Sequence, residues 1–198
     1  MLNETRIPGQ RVAITEDDNR TPSREWFRFF NYLYNLSLAI TPVIAGADRG
    51  AFYDTTNTAW IANTPSQVPI GSTSLLDGVT VAASKIALSR AGIYTITASF
   101  QLSNDNNTND DDMTIWLRVN GADIAYTASR MTVAKKHAGI AGSALMTVNF
   151  LYSFTAGDYF ELYGLSALGY AQIVTYAASS SPAYPAAPGT ILTVAQIL

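Results

Sequence analysis

A single histidine, His137, stands among the 198 residues, so no site can be built on two imidazoles and a nucleophilic triad has one choice of imidazole base. His137 lies in "VAKKHAGIAG", a polar, glycine-containing stretch that reads as a loop, and a surface or interface histidine is the expectation. Serines are plentiful, but no G-x-S-x-G element is present. The densest set of hard oxygen donors is "NDNNTNDDD", with Asp105, Asp110, Asp111 and Asp112. Calcium takes about six to eight oxygens, and such a run can supply some of them. The D-x-D-x-D-G spacing and closing glutamate of a calcium loop are missing, so a solvated loop between strands is expected and no metal is assigned. Glycoside hydrolysis needs two carboxyls about 5–10 Å apart. Asp158 and Glu161 are candidates by type, yet Asp158 falls in the turn "AGD" and Glu161 on an outward strand face. Gly139 and Gly142 in "AGIAGSA" have neither the lysine nor the helix of a phosphate loop. Neither a catalytic residue nor a cofactor is expected.

Composition points instead to association. The chain is 48% hydrophobic and 14% charged, against a usual charged share of about 25%. So few charges imply that part of the exterior is buried against other chains. A net charge of −3 with no basic run gives no electrostatic reason to expect nucleic acid. The absence of cysteine removes disulfides and zinc-thiolate sites and fits assembly in a reducing compartment. "MLNETRIPGQ" lacks the basic and apolar regions of a signal peptide, and no stretch approaches the roughly 18 apolar residues of a membrane helix. A soluble protein without membrane insertion is expected.

Three regions follow from patterning. Residues 1–20 are polar and aperiodic and read as an extended arm. Residues 21–42 read as an attachment or trimerisation helix: Thr21 caps, Pro22 opens, Glu25 favours the first turn, and Thr41-Pro42 stops it. Trp26, Phe29, Leu33, Leu36 and Ile40 recur at 3, 4, 3, 4 spacing, the seam of a helix–helix contact, with Phe27, Phe30 and Tyr34 as a second stripe. An isolated helix of this length is marginal in water, so it must pack on something.

From residue 43 to 198 the pattern is that of a β domain, with period 2 from Gly50 onward. Tyr94, Ile96, Ala98, Phe100 and Leu102 share one face, as do Met113, Ile115, Leu117 and Val119, and again Met146, Val148, Phe150, Tyr152 and Phe154. Asn120-Gly121 supplies a favoured hairpin turn. Trp116 lies opposite an apolar set and needs cover. "SSSPAYPAAPG" (179–189) reads as a stiff crossover loop. The last strand, "ILTVAQIL", is apolar on both faces and belongs in a sheet interior or between subunits. Strands at short intervals with almost no helical pattern indicate an antiparallel sandwich or barrel.

"SKIALSRAGIYTITASFQLSN" (84–104), "MTIWLRVNGADI" (113–124), "FTAGDYFELY" (154–163) and "PAAPGTILTVAQI" (185–197) come in an order that resembles jelly-roll domains of the complement and tumour-necrosis-factor-like superfamily, in the version found in tailed bacteriophages. The likeness covers about residues 50–198. "TPSREWFRFFNYLYNL" is similar to a leader of small phage virion proteins, carried by Arg24, Glu25, Trp26, Arg28, Phe29 and Phe30. The acidic loop at 104–112 is longer than that pattern leads one to expect. The resemblance implies a mainly β, antiparallel jelly-roll sandwich preceded by an arm and one short helix. It also implies a non-enzymatic homotrimer, held to other virion proteins of capsid or tail through residues 1–40 and assembled in the bacterial host cytoplasm. Capsid decoration protein, head fibre or short tail appendage are the forms expected. Trp26, Phe27, Phe29, Phe30, Leu33, Tyr34, Leu36, Ile40 and Trp116 are the expected attachment or trimer residues. The alternative is a tail-fibre module binding a host-surface carbohydrate or receptor, with Tyr126, His137, Tyr170 and Tyr184 facing the ligand.

Overall fold

The computed structural model describes residues 26–35 and 46–197. Two compact units divide the chain, Met1–Gly46 and Ala47–Leu198. In the first, residues 26–35 form a helix, α1. The rings of Trp26, Phe29 and Phe30 lie 5.5–5.9 Å from one another, while Phe27, Phe30, Leu33 and Tyr34 are exposed. The arm at 1–20, the ends of the expected helix, and the seam residues Leu36 and Ile40 lie outside the described residues.

The second unit holds fifteen described strands: β1 (Arg49–Asp54), β2 (Ser66–Gln67), β3 (Ser72–Asp77), β4 (Val79–Ala82), β5 (Lys85–Leu88), β6 (Gly92–Asn104), β7 (Asp111–Val119) and β8 (Ala122–Asp123) come first. They are followed by β9 (Ser129–Val133), β10 (Gly142–Phe154), β11 (Tyr159–Ser166), β12 (Ala171–Ile173), β13 (Ser179–Ser180), β14 (Ala183–Tyr184) and β15 (Thr190–Gln196). One sheet runs β10-β6-β15-β1-β3, with β12 continuing the β15 row along β6. The other runs β4-β5-β11-β7-β8, with β2 beside β5 along β11 and β9 beside β8 along β7. Every pairing is antiparallel. The domain is an antiparallel β-sandwich, one of the two architectures that the alternation indicates.

Alternation also explains the core. The inward residues of β6, β7 and β10 are those on the apolar parity, and they meet Phe52, Ile86, Leu88, Phe160, Leu162, Leu192 and Val194 between the sheets. Burying each such side chain is worth about 1.5–3 kcal/mol. Trp60 joins them from the β1–β2 connection and packs on Gly164, where an added Cβ would fall 2.6 Å from the indole. β15 occupies the sheet interior between β6 and β1, with Ile191 outward and Leu192 and Val194 inward. The stretch 179–189, expected as a stiff crossover loop, contains the small β13–β14 hairpin.

Register gives the sandwich two ends. At the near end the chain comes in at Ala47 and leaves at Ile197, and Gln196 N–H donates to the Asp48 carbonyl. The Asp48 side chain is fully buried there. Its carboxylate accepts hydrogen bonds from the Ser89 and Arg90 backbones, the Ser89 hydroxyl, Arg90 Nη1 at 2.6 Å and the Tyr94 hydroxyl at 2.9 Å. Burial, and then Asp48 itself, push the Tyr94 phenol far above its ordinary value. At the far end β6 finishes at Asn104, opposite Gly142 and Ala171.

Candidate functional site

The two outer faces of the sandwich differ in kind. On the face formed by β10, β6, β15 and β1, register sets up successive outward rows: Leu151, Thr95, Ala195 and Arg49, then Asn149, Thr97, Thr193 and Ala51, then Thr147, Ser99, Ile191 and Tyr53. Arg49, at the rim and 3.0 Å from Asp77, is the one charged residue in these rows. Leu145, Leu151 and Ile191 are exposed. Small hydroxyls in the centre with aliphatic side chains around them make a surface that another protein face can approach closely. Loss of charge is what marks the core of an interface. At the far margin of this face a groove of about 460 Å³ is lined by Gln101, Ser143, Ala144, Leu145 and Tyr176.

The opposite face, on β11 and β7, is charged, and its charged side chains make contacts within the chain. Arg118 lies 3.1 Å from Asp123 and stacks 4.3 Å over the Tyr163 ring. Lys85 sits 4.6 Å over Tyr159. Trp116, expected to need cover from another subunit, is half-buried by its own chain: its indole N–H donates to Asp123 at 2.8 Å and its ring lies 6.1 Å from Tyr163. Glu161 does face outward, yet it is buried, and Gln67 on β2 donates to its carboxylate at 2.8 Å. Asp158 accepts from Asn120 and from the Thr155 backbone, and these hydrogen bonds hold its carboxyl below the usual range. Both acids of the candidate hydrolytic pair therefore have structural partners.

The acidic run is the exposed loop expected between two strands only over residues 105–110. Asp111 and Asp112 open β7, and Asp111 is buried on the core parity of Met113 and Ile115. Its carboxylate takes the Ser166 hydroxyl at 2.6 Å and the backbone N–H groups of Leu168, Tyr170 and Ala171. Asp112 pairs with Arg130 and Thr132, Asp110 accepts from the Lys135 backbone, and Asp105 lies 2.7 Å from Lys136. Among the described residues no three acids or histidines are grouped to hold a metal ion. Extending the β7 alternation back by two residues would have placed Asp111 inside.

Burial works to raise the Asp111 pKa, but the hydrogen bonds from Ser166, Ala171, Leu168 and Tyr170 outweigh it and hold the group below its ordinary value. An Asp whose folded pKa lies below the unfolded value of about 3.9 stabilises the fold above that pH and loses the effect as pH falls through the folded pKa. Asp111→Ala is expected to cost about 3 kcal/mol at pH 7, since it strands four donors. The gap from the parent chain should shrink steadily below about pH 4. Urea unfolding at a series of pH values measures it; a gap independent of pH would refute the assignment.

No protein-family model matches this chain, and no curated protein matches it.

The aromatic ligand candidates lie on four separate connections. His137 is exposed at a hairpin tip, its backbone paired with Ile140 across Ala138 and Gly139 (φ 49° and 83°). Two successive left-handed residues are the requirement of a tight two-residue hairpin. Tyr170 is on the loop that Asp111 holds, and Tyr184 is on β14 in the lobe that leaves the sheet beside Gln101. Tyr126 lies between β8 and β9, fully exposed and at φ 65°. Ile61, Ile140, Leu168 and Tyr176 are also exposed, and the sequence gives no sign of it, because isolated apolar residues in loops carry no periodicity.

Proposed function

We propose that this protein is a non-enzymatic structural component of a tailed-bacteriophage particle. In this reading it is a homotrimeric knob of jelly-roll type, attached through residues 1–40 and assembled in the host cytoplasm. The observation that carries the reading is the outward face of β10, β6, β15 and β1, which has exposed Leu145, Leu151 and Ile191 and charge only at its Arg49 rim. Permanent assemblies bury core-like surfaces of roughly 2,000 Å² or more, and such a face suits one. Successive strands β5, β6 and β7, then β9, β10 and β11, step between the two sheets, which suits a jelly roll. The exposed Phe27, Phe30, Leu33 and Tyr34 of α1 support an attachment role for the leader. Capsid decoration, head fibre and short tail appendage are the forms this reading takes.

Light scattering coupled to size exclusion tests the trimer. The expected mass is three times the 21.3 kDa of one chain. Ile191→Asp places a charge on the outward face of β15 and is expected to yield folded single chains, with the circular dichroism of the parent. A parent chain that runs as a monomer would overturn the reading. Electron microscopy of particles with and without the protein then places it on capsid or tail.

A second reading, a module binding host-surface glycan or receptor, is favoured by the far end. Exposed Ile61, Leu168 and Tyr170 sit there on loops that Asp111 and the Asn63–Ser166 backbone bond hold still, opposite the end at which the chain enters the sandwich. Binding to intact host cells separates it from decoration.

A further inference from the structure

We infer that the groove at the far margin of the uncharged face binds a neutral sugar. The inference rests on the second reading above, a module that engages host-surface glycan, and gives that reading a site of its own. Register builds the groove. Leu145 on β10 and Gln101 on β6 form the outward row that follows Thr147 and Ser99. On the other side of Gln101 the sheet parts, since β15 pairs with β6 up to Phe100 and β12 pairs with it from Leu102. Gln101 N–H donates to the Gly189 carbonyl, and its own carbonyl accepts from Val174 N–H. The lobe between Val174 and Gly189 leaves the sheet there, and Tyr176 at its base is bonded to Ala187 through both backbone groups at 2.9 Å. Gln101 therefore lies between the start of β10 and Tyr176, in a space of about 460 Å³. Small-molecule sites run from about 300 to 1,000 Å³.

The polar groups of this groove are uncommitted. Among the described residues, the Gln101 carboxamide, the Ser143 hydroxyl and the Tyr176 phenol make no hydrogen bond within the chain. The neighbouring rows of the same face differ: Asn149 donates to the Thr97 hydroxyl at 2.7 Å, and the Thr193 hydroxyl donates to the Thr97 carbonyl. Each of the three free groups can both donate and accept, and so can every hydroxyl of a sugar. Leu145 and the Tyr176 ring add apolar surface on which the C–H face of a pyranose can lie.

The lining also selects against other ligands. No carboxylate, amine or imidazole of the described residues borders the groove. An anionic sugar or a phosphate would lose hydration there without a counter-charge, which is unfavourable. An added peptide strand is recognised through free backbone groups, but those of Gln101 are already taken by Gly189 and Val174. Glycoside cleavage needs two carboxyls, so the groove is equipped to hold a sugar and not to cut it.

Saturation-transfer NMR on the full chain tests the inference, with glucose, galactose, mannose and N-acetylglucosamine as probes and N-acetylneuraminic acid as the charged comparison. At least one neutral sugar is expected to receive saturation and to shift the side-chain amide signals of Gln101. The acidic sugar should do neither. Tyr176→Ala should weaken binding about tenfold or more, the scale of truncating an aromatic anchor, and Tyr176→Phe should retain most of it. Tyr184→Ala removes an exposed tyrosine of the same lobe that does not line the groove, and should bind like the parent. Shifts that gather at Ile61, Leu168 and Tyr170, with Tyr176→Ala binding like the parent, overturn the groove and leave the glycan reading standing. Binding of the acidic sugar alone overturns the groove as well. If no neutral sugar binds, the groove inference falls, and a chain that also fails to bind intact host cells takes the glycan reading with it.

Discussion

A chain ending at Thr190 is expected to have no cooperative fold. Residues 191–198 are not an appendage: β15 lies between β6 and β1 and pairs with both over its length. Removing it takes Leu192 and Val194 out of the core, which at about 1.5–3 kcal/mol each is already several kcal/mol. It also detaches β1 and β3 from β6 and leaves two long strand edges without partners. A domain has only about 5–15 kcal/mol to lose, and unpaired edges of this kind aggregate. The truncated chain should be insoluble or show no thermal transition. A soluble chain with a sharp melt would refute the placement of β15.

Gly142→Val is expected to be a severely damaging single substitution, costing about 3 kcal/mol or more. A Cβ at Gly142 would stand 1.7 Å from the Ala134 carbonyl oxygen and 2.6 Å from its carbon. The obstacle is backbone, so no side chain can swing aside. Relief requires moving the start of β10 away from the end of β9, at the point where the chain crosses from one sheet to the other. Gly139, three residues earlier, provides the control. It has nothing within 4 Å of an added Cβ but sits at φ 83°, so Gly139→Ala should cost only about 1 kcal/mol, from backbone strain. Denaturant midpoints of the two variants measure the difference; equal losses would refute the steric account.

The same two glycines show what a sequence conveys and what it withholds. "AGIAGSA" excludes a phosphate loop by its missing lysine, and that conclusion needs no coordinates. Which glycine is intolerant depends on Ala134, which local pattern does not reveal. Alternation is fully informative along the interior strands β6 and β7. Tyr94, Ile96, Ala98, Phe100 and Leu102 are all at 0% exposure, as are Met113, Ile115 and Leu117. Asn120-Gly121 makes the left-handed turn its residue types favour, at φ 50° and 80°.

Pattern fails where a charged residue obeys the parity of its strand or is covered from far away. Asp111 follows the inward parity of β7, but three consecutive aspartates look like solvent-facing residues until the Ser166 loop is placed over one of them. Glu161 points outward as expected, yet it is buried and bonded by Gln67, 94 residues distant in sequence. Trp116 shows the same limit, since Tyr163 and Asp123 approach it through strand pairing that sequence does not specify. The contrast between the two outer faces is likewise hidden, because it emerges only when β10, β6, β15 and β1 are set side by side.

The Asp48 clasp decides where this protein can carry something else. The chain comes into the sandwich and leaves it at one end, tied by the Gln196–Asp48 backbone bond and the carboxylate network beneath it. A cargo fused after the last residue would therefore emerge at the end of the sandwich where the chain comes in. A peptide inserted at Ala138-Gly139, in a two-residue turn at the far end, would be carried outward instead. Both chain crossings of the sandwich thus share one end, and the other end is free to carry an insertion.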